Sequence, residues 1–127
     1  MKLSLVVPCF NEEGNIQKMY DETVRAFDGK IDDYEFVFVD DGSTDGTYHI
    51  LKKLYENQSK CDIQVLSLSR NFGKEAAIYA GISNATGDLI CLIDADLQQR
   101  PEVVLQMLEV MESDEDTDCV TAYQKVR

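Results

Sequence analysis

The 127 residues suffice for one domain and exclude two independent cores. A composition of 44% hydrophobic and 28% charged residues is that of an ordinary globular protein and excludes disorder. With 24 Asp+Glu against 12 Lys+Arg the formal net charge is -12, which repels phosphate backbones and speaks against nucleic acid as a partner.

No polybasic segment offers a hold on an anionic membrane, and no apolar run approaches the ~20 residues of a membrane span. The N-terminus carries one Lys and a short apolar stretch before Pro8, so no signal peptide is expected. Cys9, Cys61, Cys91 and Cys119 form no C-x-x-C pair and read as reduced core thiols of a cytosolic protein.

In chain order, residues 3–7 are a short apolar strand closed by Pro8. Residues 11–26 show a helical period, with Ile16, Met19, Tyr20, Thr23, Val24 and Phe27 on one face. A second buried strand covers 34–39. Ser43, Thr44 or Asp45 can cap a helix that carries Tyr48, Leu51, Leu54 and Tyr55. A third strand spans 63–68, a third helix 74–85 ending at Gly87, and a fourth strand 89–93 running into Asp94. Pro101 opens a fourth helix to about Met111, and 119–122 reads as a fifth strand. Between them, the acidic residues 112–118 read as a solvated loop. Continuous apolar strands alternating with helices predict an α/β fold with a doubly wound, mostly parallel sheet. In such sheets ligands bind beyond the carboxyl ends of the strands.

The residues at those ends are Pro8-Cys9-Phe10-Asn11-Glu12-Glu13, then Asp40-Asp41-Gly42-Ser43-Thr44-Asp45-Gly46, then Asp94-Ala95-Asp96-Leu97-Gln98. Asp40, Asp41, Asp94 and Asp96 are therefore expected to gather at one sheet edge. Their mutual repulsion is relieved by a divalent cation. Asp94, Asp96 and Gln98, at alternate positions, offer hard oxygen ligands suited to Mg2+ or Mn2+. A carboxylate-rich pocket cannot hold a phosphate alone, so a metal would bridge the two, with Arg70 and Lys74 as nearby cations.

Other chemistries lack their parts. The 7 glycines form neither G-x-G-x-x-G nor a P-loop. The run from Asp41 to Gly46 mimics the start of a calcium loop, but its twelfth position is Lys52 rather than a bidentate Glu. His49, the one histidine, lies in a helix with no nucleophile beside it and reads as a surface residue. A phosphoacceptor receiver domain would carry its paired acids after the first strand, whereas here they follow the second. A haloacid dehalogenase phosphatase would place Thr or Val where Leu97 follows Asp96.

Four runs, in order and spacing, resemble family 2 glycosyltransferases: Leu-Val-Val-Pro-Cys-Phe-Asn-Glu-Glu, Val-Asp-Asp-Gly-Ser-Thr-Asp-Gly-Thr, Arg-Asn-Phe-Gly-Lys-Glu-Ala-Ala and Asp-Ala-Asp-Leu-Gln. The last resembles most the subgroup that transfers sugars to polyprenyl phosphates. The resemblance implies a Rossmann-like GT-A fold binding a nucleotide-diphosphate sugar, with residues 1–127 as the donor-binding part of a longer catalytic domain. Pro8 and Phe10 would pack on the base, Glu12 would reach the ribose, and Val39 and Asp41 would touch the base. Asp94 and Ala95 would contact ribose and pyrophosphate. Asp96 would be the catalytic carboxylate, holding the metal with Asp94 and Gln98. The implied reaction is a metal-assisted inverting displacement, with a polyprenyl phosphate as acceptor. The alternatives are a saccharide acceptor, or a donor-binding module inactive without the acceptor half. Relatives also carry a phosphate-binding Arg near the fifth strand, where this chain has Gln124 with Lys125 and Arg127 close by. A cytoplasmic location is expected, with the longer protein held at the membrane's cytoplasmic face by segments outside this sequence. A half-domain with an uncovered interface is further expected to self-associate.

Overall fold

The computed structural model describes residues 2–58, 60–96 and 100–113. The elements follow in the order β1 (Leu3–Cys9), α1 (Ile16–Phe27), β2 (Tyr34–Asp40), α2 (Thr47–Glu56), β3 (Asp62–Ser67), α3 (Lys74–Asn84), β4 (Leu89–Leu92) and α4 (Pro101–Ser113). The four strands form one parallel sheet in the order β3-β2-β1-β4. This is the α/β arrangement expected from the alternation of apolar strands and helices. The helix opened by Pro101 runs two residues further than expected, so residues 112 and 113 of the expected acidic loop belong to α4. The rest of that loop and the expected fifth strand lie outside the described residues.

Strand β2 shows why the sheet is central. All seven of its residues are buried, as a strand covered on both faces requires. Its alternate side chains separate two layers. Tyr34, Phe36 and Phe38 join Leu3, Leu5, Val7, Ile16, Met19, Phe27 and Leu51 in the main core. There the rings of Phe36 and Phe38 stack 5.1 Å apart. Among the described residues, α3 is the helix that packs on the other face of β1 and β2. Gly81 lets it sit directly on the sheet: a Cβ there would overlap Val6 and stand 3.2 Å from Val39. β4, at the sheet edge, leaves Ile90 and Leu92 half exposed.

The same face carries a buried polar cluster at the opposite end of the strands from the candidate site. The Glu35 carboxylate accepts from Ser4 Oγ at 2.6 Å, Gln64 Nε2 at 3.0 Å, Thr86 N at 2.7 Å and Thr86 Oγ1 at 2.9 Å. One side chain thereby ties β1, β3 and the α3–β4 turn to β2. A buried carboxylate is tolerated when its lone pairs are satisfied in this way.

The first helix begins later than its apolar period suggests. Asn11 bends the chain at φ 53, residues 13–15 form a turn closed by Asn15 N donating to Glu12 O at 3.0 Å, and α1 starts at Ile16. Asn11 and Glu12 have partners outside the helix, so tertiary hydrogen bonding overrides the local period there. Cys9 and Cys91 are buried free thiols and Cys61 is a partly buried one, while His49 is exposed. Among the described residues no helix is long and apolar enough to cross a membrane.

Candidate functional site

The strands themselves open the site. Pairing between β1 and β4 runs from Leu3↔Leu89 to Val6↔Leu92 and ends with Ile93 N donating to Val6 O at 3.1 Å. The next residue of β1 to face that side is Pro8, which has no N–H to give. The opposite side of β1 stays paired with β2 as far as Cys9↔Asp40. β1 and β4 therefore part at Pro8, where neighbouring crossovers leave in opposite directions, and a cavity of about 340 Å³ opens there. Pro8, Cys9, Phe10 and Glu12 line it from the end of β1 and the loop that follows. Asp94, Ala95 and Asp96 follow β4, Asp41 follows β2, Asn71 and Gly73 lie in the loop before α3, and Lys74 and Ala77 in its first turn.

Two loops are stitched together beneath this cavity. Asn11 N donates to Ser43 Oγ at 2.9 Å, and Thr44 N donates back to Asn11 Oδ1 at 2.8 Å. Glu12 N donates to Thr47 Oγ1 at 2.8 Å, and Gly46 N donates to Glu13 Oε2 at 2.9 Å. Asp45, expected as a helix cap, accepts from Thr47 N at 2.9 Å and from Thr47 Oγ1 at the start of α2. Burial opposes ionisation of Asp45, but these bonds outweigh it and hold its carboxyl below the usual range. The polar residues 43–47 thus hold the loop that presents Phe10 and Glu12.

The four-carboxylate cluster expected at this edge is three of those four plus Glu12. Asp40 does not line the cavity; its Oδ1 accepts from Ser43 N at 3.1 Å on the α2 side. Side chains alternate across the sheet, so adjacent Asp40 and Asp41 point to opposite faces. Asp41 turns toward α3 and accepts the amides of Phe72 at 2.8 Å and Gly73 at 3.1 Å. Gly42, at φ +69, makes room for this approach, since a Cβ there would overlap the backbone of Arg70 and Asn71. Val39 is fully buried under α3 and is not among the lining residues. Phe10 is 42% exposed at the mouth. Ala95 is buried, and Asp96 is exposed on the rim. Gln98 lies outside the described residues.

Lys74 Nζ stands 3.0 Å from Asp94 Oδ1, a pairing of two candidate groups that the sequence places 20 positions apart. Arg70, the other cation of this loop, instead lies over the Phe72 ring at 4.7 Å. Cys9 lines the cavity as a buried thiol. Burial, reinforced by the charges of Asp40 and Glu12, pushes its thiol far above the ordinary range.

The glycosyl transferase family 2 model matches residues 4–126, nearly the whole chain. The chain belongs to glycosyl transferase family 2. It is 47% identical over 110 residues to an Escherichia coli (strain K12) protein named prophage bactoprenol glucosyl transferase homolog. That match covers 86% of this chain and 35% of the relative, so the chain spans about a third of that relative's length. Among solved structures, a Pyrobaculum calidifontis mannosyltransferase in complex with GDP-Man and Mn2+ superposes with a TM-score of 0.75 at 25% identity. The match covers 86% of this chain and 32% of that one. Residues 1–349 of S. aureus TarS in complex with UDP give 0.72 at 26% identity, covering 89% and 32%. The family 2 domain here accordingly has the GT-A fold.

The donor set of the site suits a hard divalent cation. Asp94 and Asp96 both line the cavity, and their oxygens match the preference of Mg2+ and Mn2+. Among the described residues no group of three His, Cys, Asp or Glu side chains could hold an ion unaided. Two carboxylates completed by water and a diphosphate are the usual Mg2+ arrangement, so the residues fit. Cys9, Asn71, Gly73 and Ala77 also line the cavity, beyond the residues that the sequence motifs assign to it. The sequence signal for three of them was the Arg-Asn-Phe-Gly-Lys-Glu-Ala-Ala run; for Cys9 it was its place between Pro8 and Phe10.

Proposed function

We propose that this domain binds a nucleotide-diphosphate sugar and serves an inverting transfer of that sugar to a polyprenyl phosphate at the cytoplasmic face of a membrane. One observation carries the reading. Six residues assigned to the donor by family resemblance (Pro8, Phe10, Glu12, Asp41, Asp94 and Ala95) line a single cavity together with Asp96, although they come from three strand ends. Phe10 stacks on the base and Asp41 accepts from its ring N–H. Glu12 reaches the ribose, while Asp94 and Ala95 meet the ribose and pyrophosphate. Asp96 is assigned as the catalytic carboxylate that holds the metal. A divalent cation held by Asp94, Asp96 and Gln98 would supply neutralisation of the charge on that leaving group. A lipid phosphate is already anionic at neutral pH and needs little general-base help. The bactoprenol glucosyl transferase relative supports that acceptor class and a glucosyl donor.

The test is a thermal-shift scan with UDP, GDP and CDP, each with and without Mn2+. A ligand at a hundredfold excess over its dissociation constant stabilises the folded state by about 2.7 kcal/mol. A rise in melting temperature with one nucleotide, dependent on Mn2+ and lost in Asp96→Asn, is the expected result. An Asp96→Asn variant with unchanged Mn2+-dependent affinity would remove Asp96 from the site. Sugar transfer from the matching donor to undecaprenyl phosphate, rather than to a free saccharide, then tests the acceptor in the longer protein.

A further inference from the structure

We propose that Lys74 and a divalent cation compete for the same carboxylate, Asp94, so that the first residue of α3 sets how tightly the site takes up metal. The inference rests on the donor-site reading above and adds a positioning residue to it. Lys74 Nζ and Asp94 Oδ1 are 3.0 Å apart, and Asp94, Asp96 and Lys74 line one cavity. A carboxylate engaged by an ammonium is a poorer metal ligand. Part of its charge is already neutralised, and an incoming cation meets a like charge at close range.

The placement of Lys74 is built into the fold. Asp41 holds the amides of Phe72 and Gly73, Gly42 lets the Arg70–Asn71 backbone pass close above it, and Gly73 at φ +106 turns the chain into α3. Lys74 is the one cation among the described lining residues, which also include the carboxylates of Glu12, Asp41, Asp94 and Asp96. Its side chain is 65% exposed and that of Asp94 38%. An ion pair so open to water is weak. It can orient Asp94 and still yield to a doubly charged ion, as an exchangeable counter-ion must.

The test is a Mn2+ titration of the chain followed by loss of the free-ion electron paramagnetic resonance signal. Wild type is compared with Lys74→Met, Lys74→Arg, Lys52→Met and Asp96→Asn. Lys52 is exposed on α2 and away from the cavity, so its loss removes the same formal charge elsewhere. Lys74→Met is expected to bind Mn2+ about two- to fivefold more tightly, the range set by exposed ion pairs. Lys74→Arg and Lys52→Met are expected to match wild type. If Lys74→Met binds no more tightly than wild type, or Lys52→Met tightens equally, the competition is overturned. Loss of binding in Asp96→Asn would then leave the metal site itself standing. If none of the proteins binds Mn2+, both the competition and the metal reading fall.

Discussion

The carboxylate of Asp41 accepts the backbone amide of Phe72 at 2.8 Å, so the residue that follows β2 fixes the loop that precedes α3. Gly73 N donates to the second oxygen of Asp41 at 3.1 Å. A group assigned to the nucleotide by family resemblance thus has a second task, holding the cavity wall that carries Asn71 and Lys74.

Asp41→Asn separates these tasks poorly and is therefore informative. An amide presents one acceptor and one donor to two amide donors, so one backbone N–H loses its partner. The expected cost is about 1–3 kcal/mol of stability together with weaker nucleotide binding. Urea unfolding and calorimetric titration check the two losses. A variant that loses affinity at unchanged stability would show that the loop does not depend on Asp41.

Phe10→Ala is expected to weaken nucleotide binding by roughly 1–3 kcal/mol, the size of one stacked ring. The ring is 42% exposed at the cavity mouth, so the melting temperature should move little. Titration calorimetry with the nucleotide identified by thermal shift measures this. An unchanged dissociation constant would remove Phe10 from the base site.

Gly81→Ala is expected to destabilise the domain by about 1–3 kcal/mol, because the added methyl overlaps Val6 and α3 must rise from the sheet. Helix α3 carries Lys74 and Ala77 into the cavity, so nucleotide affinity should fall as well. Chemical denaturation gives the first quantity and a binding isotherm the second. Wild-type stability in the variant would mean that α3 does not sit on β1 through this residue.

Glu35 predicts a pH dependence. Burial alone would raise its carboxyl, but the bonds from Ser4, Gln64 and Thr86 outweigh burial and hold it below its ordinary 4.5. A carboxyl lowered on folding contributes stability in full above its unfolded value. That contribution is lost as pH falls through the lowered folded value. Glu35→Gln is therefore expected to cost about 2 kcal/mol at pH 7, with the gap to wild type narrowing as pH drops below 4.5. Urea midpoints at stepped pH measure it. A gap that is the same at acid and neutral pH would show that the charge of Glu35 contributes nothing.

Much of this domain was legible because its signals are local. The apolar runs and helical periods located four strands and four helices. Pro8, Asp41 and Asp94 could be placed at strand ends because a parallel sheet puts every such end on one edge. The start of α1 is not legible locally, since the bonds of Asn11 and Glu12 to Ser43 and Thr47 reach 32 and 35 positions along the chain. The separation of Asp40 from Asp41 is equally hidden, because adjacency in sequence does not show which sheet face each side chain takes.

By itself, then, the sequence determined the order of elements, the family and which strand ends meet at the carboxyl edge. Periodicity and short motifs are written in neighbouring positions. Only the tertiary structure decided that Asp41 faces α3, that Asp40 serves the turn before α2, and that Lys74 meets Asp94. Those outcomes depend on the alternation of side chains across the sheet and on the crossing of α3 over it. Both relate residues distant in sequence, and contact between them is created only when the sheet forms.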